Sequence, residues 1–314
     1  EQLRISLPTC YDVPQAQPEI SLDEALFEPI PQIETFYPEF QKNDHQLAIG
    51  EAHALDVLNQ FIEEQVEFYK AERDFPALNG TSQLSTYLNI GMLSIRQCIQ
   101  ALFSAQQEYL KFDSEGQQTW LDELLWREFY QHILYDFPRV SKHLPFKENT
   151  QKIQWRDAPE DLKDWQYGLT GVPIVDAGMR QMLATGWMHN RVRMIVAMFL
   201  SKNLLIDWRL GEQWFMQHLV DGDLAANNGG WQWCASTGTD SVPYFRVFNP
   251  ISQSQKFDAN GDYIRRWIPE LAYLDAKSIH DPYAKNPNLK LNYPRPIVDL
   301  KQSRIRAIEA FKGI

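Results

Sequence analysis

Cysteine is scarce in this chain. Cys10, Cys98 and Cys234 are odd in number and widely separated along 314 residues. They exclude a disulfide scaffold and a cysteine-based zinc site, and they point to a reducing, cytoplasmic setting. Long apolar runs are lacking as well. The longest, 194–200, falls far short of the roughly 20 residues that cross a bilayer, so no membrane partner is expected. The seven histidines show no metal-ligand spacing, and no metal is expected. No Walker or Rossmann glycine pattern is found, which argues against an ATP- or NAD-dependent enzyme. Internal repeats and runs of alternating strand pattern are missing too. The chain does not begin with Met and opens on no signal-peptide pattern, so residue 1 is read as a cut point in a longer product.

With 44% hydrophobic and 23% charged residues, the chain has the balance of a globular protein with a substantial core. The net charge of −11 argues against a protein that coats polyanions indiscriminately. That charge is uneven. Residues 1–45 contain six prolines and nine acids against two bases, a net of −7, and read as an exposed linker preceding a domain over 46–314. Residues 46–314 hold 28 bases and 32 acids, so any basic groove must come from clustering in three dimensions.

From Gly50 the pattern becomes helical. Ala54, Leu55, Leu58, Phe61, Ile62 and Phe68 recur at helix spacing as far as Lys70, until Pro76 and Asn79-Gly80 break it. Further helices are predicted over 84–103, 118–135, 161–165, 172–184, 187–204 and 211–220, with Thr81-Ser82 and Ser94 as N-caps. In 187–204, Val192, Ile195, Val196, Phe199 and Leu200 form one apolar stripe. Long loops are expected after Asp221 and after Val242. The fold class is all-α, a large helical domain.

Four segments carry candidate chemistry. The first is 221–233, where Asp221, Asp223, Asn227, Asn228, three glycines, Trp231 and Trp233 crowd thirteen residues. Glycine permits close backbone approach to a flat ligand, and amides can pair with ring nitrogens and carbonyls; a helix end followed by a turn is the plainer account. In 187–194, Asn190 and Met194 share a helix face with Arg191 beside it. Arg193 projects elsewhere, so one arginine is expected to meet an outside anion and the other an inward carboxylate, Asp221 or Asp223; a solvated helix face explains the same residues.

In 120–130, Glu123 and Trp126 stand one above the other, an indole for stacking beside a carboxylate that accepts N–H donors. Ordinary core packing of the indole is the alternative. Thr81, Ser82, Gln83, Leu84 and Ser85 precede a helix, where hydroxyls and free N–H groups can seat a phosphate or simply cap the helix.

Read together, 81–96 (TSQLSTYLNIGMLSIR), 120–130 (WLDELLWREFY), 186–194 (GWMHNRVRM), 221–233 (DGDLAANNGGWQW) and 236–250 (STGTDSVPYFRVFNP) resemble the photolyase/cryptochrome family, and within it the class I cyclobutane-pyrimidine-dimer photolyases. The resemblance runs from Tyr69 to beyond Leu271. It implies a helical domain that binds FAD in a bent form and repairs ultraviolet-damaged DNA with blue light. Tyr69 and 81–85 would hold the phosphates and neighbouring groups. Arg193, Asp221 and Asp223 would surround the isoalloxazine, with Asn227 facing its N5. Glu123, Trp126, Asn190, Met194 and Trp233 would line the pocket for the dimer, and Arg127, Arg191, Arg246 and Lys256 would contact DNA.

The implied chemistry is electron transfer from photoexcited reduced FAD to the dimer, with Glu123 stabilising the charged substrate. Trp231, Trp208 and Trp155 would form a path outward from the flavin. The partner implied is DNA carrying cyclobutane pyrimidine dimers, and a monomer is expected. The family's α/β antenna domain is not found in this sequence, so no antenna chromophore is expected on it. A cryptochrome-type blue-light sensor is the alternative. Met188-His189-Asn190 lacks the paired histidines of (6-4) photolyases, and Asn227 is not the Asp or Cys of many signalling cryptochromes.

Overall fold

Short polar residues cap six of the helices. Asp207, Asp223, Asn249 and Asp299 each accept a backbone N–H from the first turn of the helix that follows, and Ser94 and Ser114 form capping boxes with Gln97 and Gln117. In this computed structural model residues 33–36, 48–105, 111–284, 288–312 and 314 are described. The segment read as a linker lies outside them except for one turn, α1 (Ile33–Phe36).

The chain then forms α2 (Glu51–Glu64), α3 (Tyr69–Glu72), α4 (Ser85–Asn89), α5 (Ile95–Ser104), α6 (Glu115–Asp136), α7 (Pro159–Gln166), α8 (Pro173–Thr185) and α9 (Asn190–Met198). There follow α10 (Trp208–His218), α11 (Leu224–Ala235), α12 (Pro250–Phe257), α13 (Asp262–Trp267) and α14 (Leu300–Phe311). No strand occurs among the described residues, as the all-α reading requires. Helix α9 runs directly into one π-helical stretch, Phe199–Asn203.

Two large apolar cores result, with a small third cluster of Ile153, Leu205 and Phe311. Leu58, Phe61, Leu84, Leu102 and Trp120 centre the first, built from α2 to α6. The second packs α8 to α11 with α13 around Val192, Phe199, Trp165, Trp208 and Trp231. Helix α6 joins them: Trp120, Leu121 and Leu124 belong to the first core, while Tyr130 lies against α11. At Gly229 an added Cβ would come within 2.2 Å of the Tyr130 ring, so only glycine lets α6 and α11 close on one another.

Several boundaries differ from the periodicity. The predicted 84–103 helix is two, parted where Gly91 takes φ +76° and Ser94 restarts the backbone. The loop expected after Asp221 is helix α11, because Asp223 caps it and its glycines serve packing rather than a turn. Thr81 and Ser82 are not caps; Leu84 occupies the N-cap of α4 with no side-chain bond. Phe68, expected inside, is 53% exposed because the helix tightens to a 3₁₀ turn over Val66–Phe68 and rotates it outward. The Trp187 segment becomes helical only at Asn190, and the helix predicted over 211–220 starts earlier, at the Asp207 cap. The apolar stripe of α9 is fully buried, as its spacing demands.

Candidate functional site

Helix α9 begins at Asn190 because His189 caps it: the ring Nδ1 accepts the Arg191 backbone N–H at 3.1 Å. That bond places the ring proton on Nε2, and this buried N–H has no protein acceptor. Burial, opposed by Asp74 and aided by nearby arginines, pushes the imidazole down to about 4, so it is neutral at pH 7.

One turn apart on α9, Asn190 and Met194 line a cavity of about 150 Å³ together with Arg193, Asp221, Asn227 and Trp231. Nη2 of Arg193 donates to both Asp221 oxygens at 3.0 and 2.8 Å, and its Nε donates to the Met188 carbonyl at 2.7 Å. The inward-arginine expectation is met there. Asp223, also on the cavity wall, accepts from Ala226 N–H at 2.8 Å, Gln131 at 2.9 Å and Arg127 at 3.1 Å. Arg127, expected to touch DNA, is therefore turned inward against a carboxylate. Asn227 donates its amide N–H to the Glu212 carbonyl at 3.0 Å, which leaves Oδ1 as its acceptor for the cavity.

Trp231, 2% exposed, carries a second buried N–H without an acceptor. The lining thus offers a fixed cation–anion pair, an amide acceptor and an indole donor around an apolar wall of Ala197, Phe215 and Leu219. This donor set suits a flat heterocycle bearing both donors and acceptors.

A second group stands on α6. Glu123 accepts from Arg73 Nη1 at 2.6 Å, and that guanidinium lies 5.3 Å from the Tyr69 ring centre. Trp126 is 43% exposed, with Phe129 at right angles at 5.3 Å and Tyr130 tilted against it at 6.3 Å, so part of the indole is open to solvent. Trp233 lines a separate small recess with Tyr130 and Gly229. The five dimer-pocket candidates therefore do not share one enclosed cavity. Asn190 and Met194 line the larger space, Trp233 the recess beside it, and Glu123 and Trp126 come from the facing helix.

Arg191, expected to meet an outside anion, instead donates to Asp74 at 2.7 Å and lies 4.5 Å over the Phe257 ring. Arg246 and Lys256 are accessible to solvent. Of residues 81–85, Leu84 is core and Tyr69 is buried with it. Thr81 and Gln83 line a distinct polar cavity that also holds Trp187, His189 and Arg266. Gln83 has a left-handed backbone, φ +52°, and donates to Asn79 at 3.0 Å. Trp208 and Trp231 are fully buried in the second core, and Trp155 packs at its edge. The ring contacts of Trp231 run to Phe215 at 5.0 Å and Trp165 at 5.9 Å.

Arg73, Asp74 and Glu212 were not legible in the sequence. Their partners lie tens of positions away, and no spacing rule links Arg73 to Glu123 or Asp74 to Arg191.

An all-helical domain with a donor-and-acceptor cavity at the meeting of α9 and α11 defines a binding domain for a flat, polar cofactor. Residues 120–313 match the family described as the FAD binding domain of DNA photolyase, and the chain belongs to that family. It is 47% identical over its whole length to the deoxyribodipyrimidine photo-lyase of Escherichia coli (strain K12), of which it spans 65%. It is 53% identical to that of Vibrio cholerae over 81% of this chain and 54% of the relative. Among solved structures it is similar to a bacterial class III photolyase from Agrobacterium tumefaciens (TM-score 0.83, 41% identity, 91% of this chain and 61% of that one). It is also similar to a Synechocystis cryptochrome (TM-score 0.80, 32% identity, 90% and 61%). Among the described residues no helix is long and apolar enough to cross a membrane.

Proposed function

We propose that this domain binds FAD in the α9–α11 cavity and carries out light-driven repair of cyclobutane pyrimidine dimers in DNA, acting as a cytoplasmic monomer. The observation that carries the reading is the cavity itself: the Arg193–Asp221 pair, the Asn227 acceptor and the unpartnered Trp231 donor line one space. These residues fit an isoalloxazine, which presents N–H donors and carbonyl acceptors along one edge. When bound, reduced FAD supplies a photoexcitable electron donor.

The chain's own residues bind, orient and exclude water. Arg193, already neutralised by Asp221, offers its remaining N–H groups without an isolated buried charge. Asp223 is held by three donors and fixes the start of α11, and with it Asn227. On the open side Trp126 stacks on a dimer base and Glu123, pinned by Arg73, accepts its N–H groups and so fixes its orientation. Asn190, Met194 and Trp233 complete the dimer pocket. A lesion stacked inside a duplex cannot reach these side chains, so it leaves the stack first, as photolyases in general require of their substrate. Thr81, Ser82 and Ser85 hydroxyls, none of which caps α4, serve the FAD phosphates, and the solvent-accessible Arg246 and Lys256 serve DNA phosphates. Trp231, Trp208 and Trp155 form the outward electron path.

The test is illumination of reduced, FAD-loaded protein with thymine-dimer DNA: recovery of intact thymines is expected, and its absence with flavin bound rejects the reading. The likeness to a cryptochrome keeps a blue-light sensor as the second reading. Light-dependent binding of a protein partner by a chain inactive on dimers favours it.

A further inference from the structure

The π-helical stretch after α9 carries a buried lysine that none of the chemistry above uses. Lys202 is 0% exposed. Its Nζ donates to Ser236 Oγ at 2.8 Å and sits 3.5 Å from the centre of the Phe311 ring. Among the described residues no carboxylate lies within ion-pair distance of it. Phe311 in turn meets Trp155 on edge, centres 6.0 Å apart at 80°, and lies parallel to Tyr244 at 6.5 Å. The ammonium is therefore no farther from the Trp155 ring centre than the Lys202–Phe311 and Phe311–Trp155 distances combined. Burial is the main effect that lowers its proton affinity; Cys234 of α11 opposes it, and Lys147 adds to it. Arg306 of α14 donates to the carbonyl of the neighbouring Asn203. Burial above all brings the amine down to about 7. A π-helical turn is a costly local geometry that recurs at functional positions, and burying an ammonium without an anion is costly, offset only in part by its attraction to the ring face.

We propose that Lys202 is a positioning residue for charge: its ammonium, acting across Phe311, disfavours a positive hole on Trp155 and so holds the oxidised state on the inner indoles. This rests on the tryptophan path proposed above. The step it controls is one electron wide. Trp155 loses an electron and becomes a radical cation, and that electron refills Trp208. Trp208 would in turn refill Trp231, whose electron would go to bound flavin in its oxidised form, the acceptor that light would activate. A fixed charge beside Trp155 raises the energy of its radical cation by direct repulsion, and the low-dielectric surroundings screen that repulsion poorly.

The experiment is transient absorption of the FAD-containing protein at pH 6, where the amine is protonated, comparing wild type with Lys202→Met, Lys202→Arg and Trp155→Phe. Loss of the charge in Lys202→Met is expected to increase the yield of the long-lived outer indole radical by about threefold to tenfold. Lys202→Arg, which keeps the charge, is expected to behave as wild type. Lys202→Gln serves as a second neutral variant should Lys202→Met fold poorly. Equal yields in wild type and both neutral variants, or the same rise in Lys202→Arg, overturn the proposal. If Trp155→Phe leaves the long-lived radical unchanged, Trp155 is not the outer end of the path, and the underlying reading falls together with this one. If Trp155→Phe abolishes the radical while Lys202→Met changes nothing, only the role of Lys202 is lost.

Discussion

Arg127 of α6 reaches Asp223 at the start of α11 across 3.1 Å. It thereby ties the helix that carries Glu123 and Trp126 to the helix that carries Asn227 and Trp231. The same carboxylate caps α11 through Ala226, so one side chain sets both the start of the cofactor-side helix and its distance from the substrate-side helix.

Arg127→Met should therefore act on geometry before it acts on DNA affinity. Removing one partner of a mostly buried pair costs about 3–5 kcal/mol when the other charge is left unpaired. Gln131 and the Ala226 N–H remain on Asp223, so the expected loss lies at the lower end. Urea unfolding and flavin content measure it; a variant as stable as wild type with normal flavin would show that the pair contributes nothing.

Arg193→Met leaves Asp221, whose side chain is 3% exposed, without its cation. Flavin retention on purification should be lost and stability should fall by about 3 kcal/mol or more. Arg193→Met with Asp221→Asn together should recover part of the stability and none of the flavin. Absorbance near the flavin band and denaturant melts read the two effects separately.

Trp126→Ala removes an indole that is already half in solvent, so the fold should barely change. Dimer-containing DNA should bind more weakly by about 1–3 kcal/mol through lost stacking, with flavin content unaltered. A gel-shift titration with damaged and undamaged duplex checks this; equal weakening on both would place Trp126 outside the dimer pocket.

Glu123 and Arg73 should behave as one unit. Arg73→Ala frees Glu123 to rotate and is expected to lower dimer affinity nearly as much as Glu123→Ala, with the double variant little worse than either. A double-mutant cycle on dimer binding is the measurement, and additive losses would show that the 2.6 Å contact does not orient the carboxylate.

The pH dependence of stability should carry a His189 component. The imidazole is pushed down to about 4 in the fold against roughly 6.5 unfolded. The unfolded chain therefore binds more protons between those values, and stability falls as pH drops from about 6.5 toward 4, by about 3 kcal/mol in full. Asp176, which burial lifts to about 6 despite donors from Thr170, Gly171 and Tyr293, works in the opposite sense over an overlapping window. The readout is therefore the difference between wild type and His189→Asn, which keeps a capping acceptor. Parallel pH profiles for the two would remove His189 as the source.

Sequence alone determined much about this protein. The apolar stripe of α9, the cap at Ser94, the helical fold class and the family resemblance all rest on residues near one another in the chain, whose spacing fixes which face they share. The 221–233 segment was legible as a site although not as a helix, since asparagine and glycine signal a turn unless the partner surface is known. Tertiary structure alone decided where the charges go. Arg191 and Arg127 look identical to any solvent-facing arginine until Asp74 and Asp223 arrive from distant parts of the chain. Lys202 reads as an ordinary polar residue until Phe311 closes over it. Electrostatic partners are chosen by distance in space and by exclusion of water, and neither quantity is encoded in the spacing of residues along one helix.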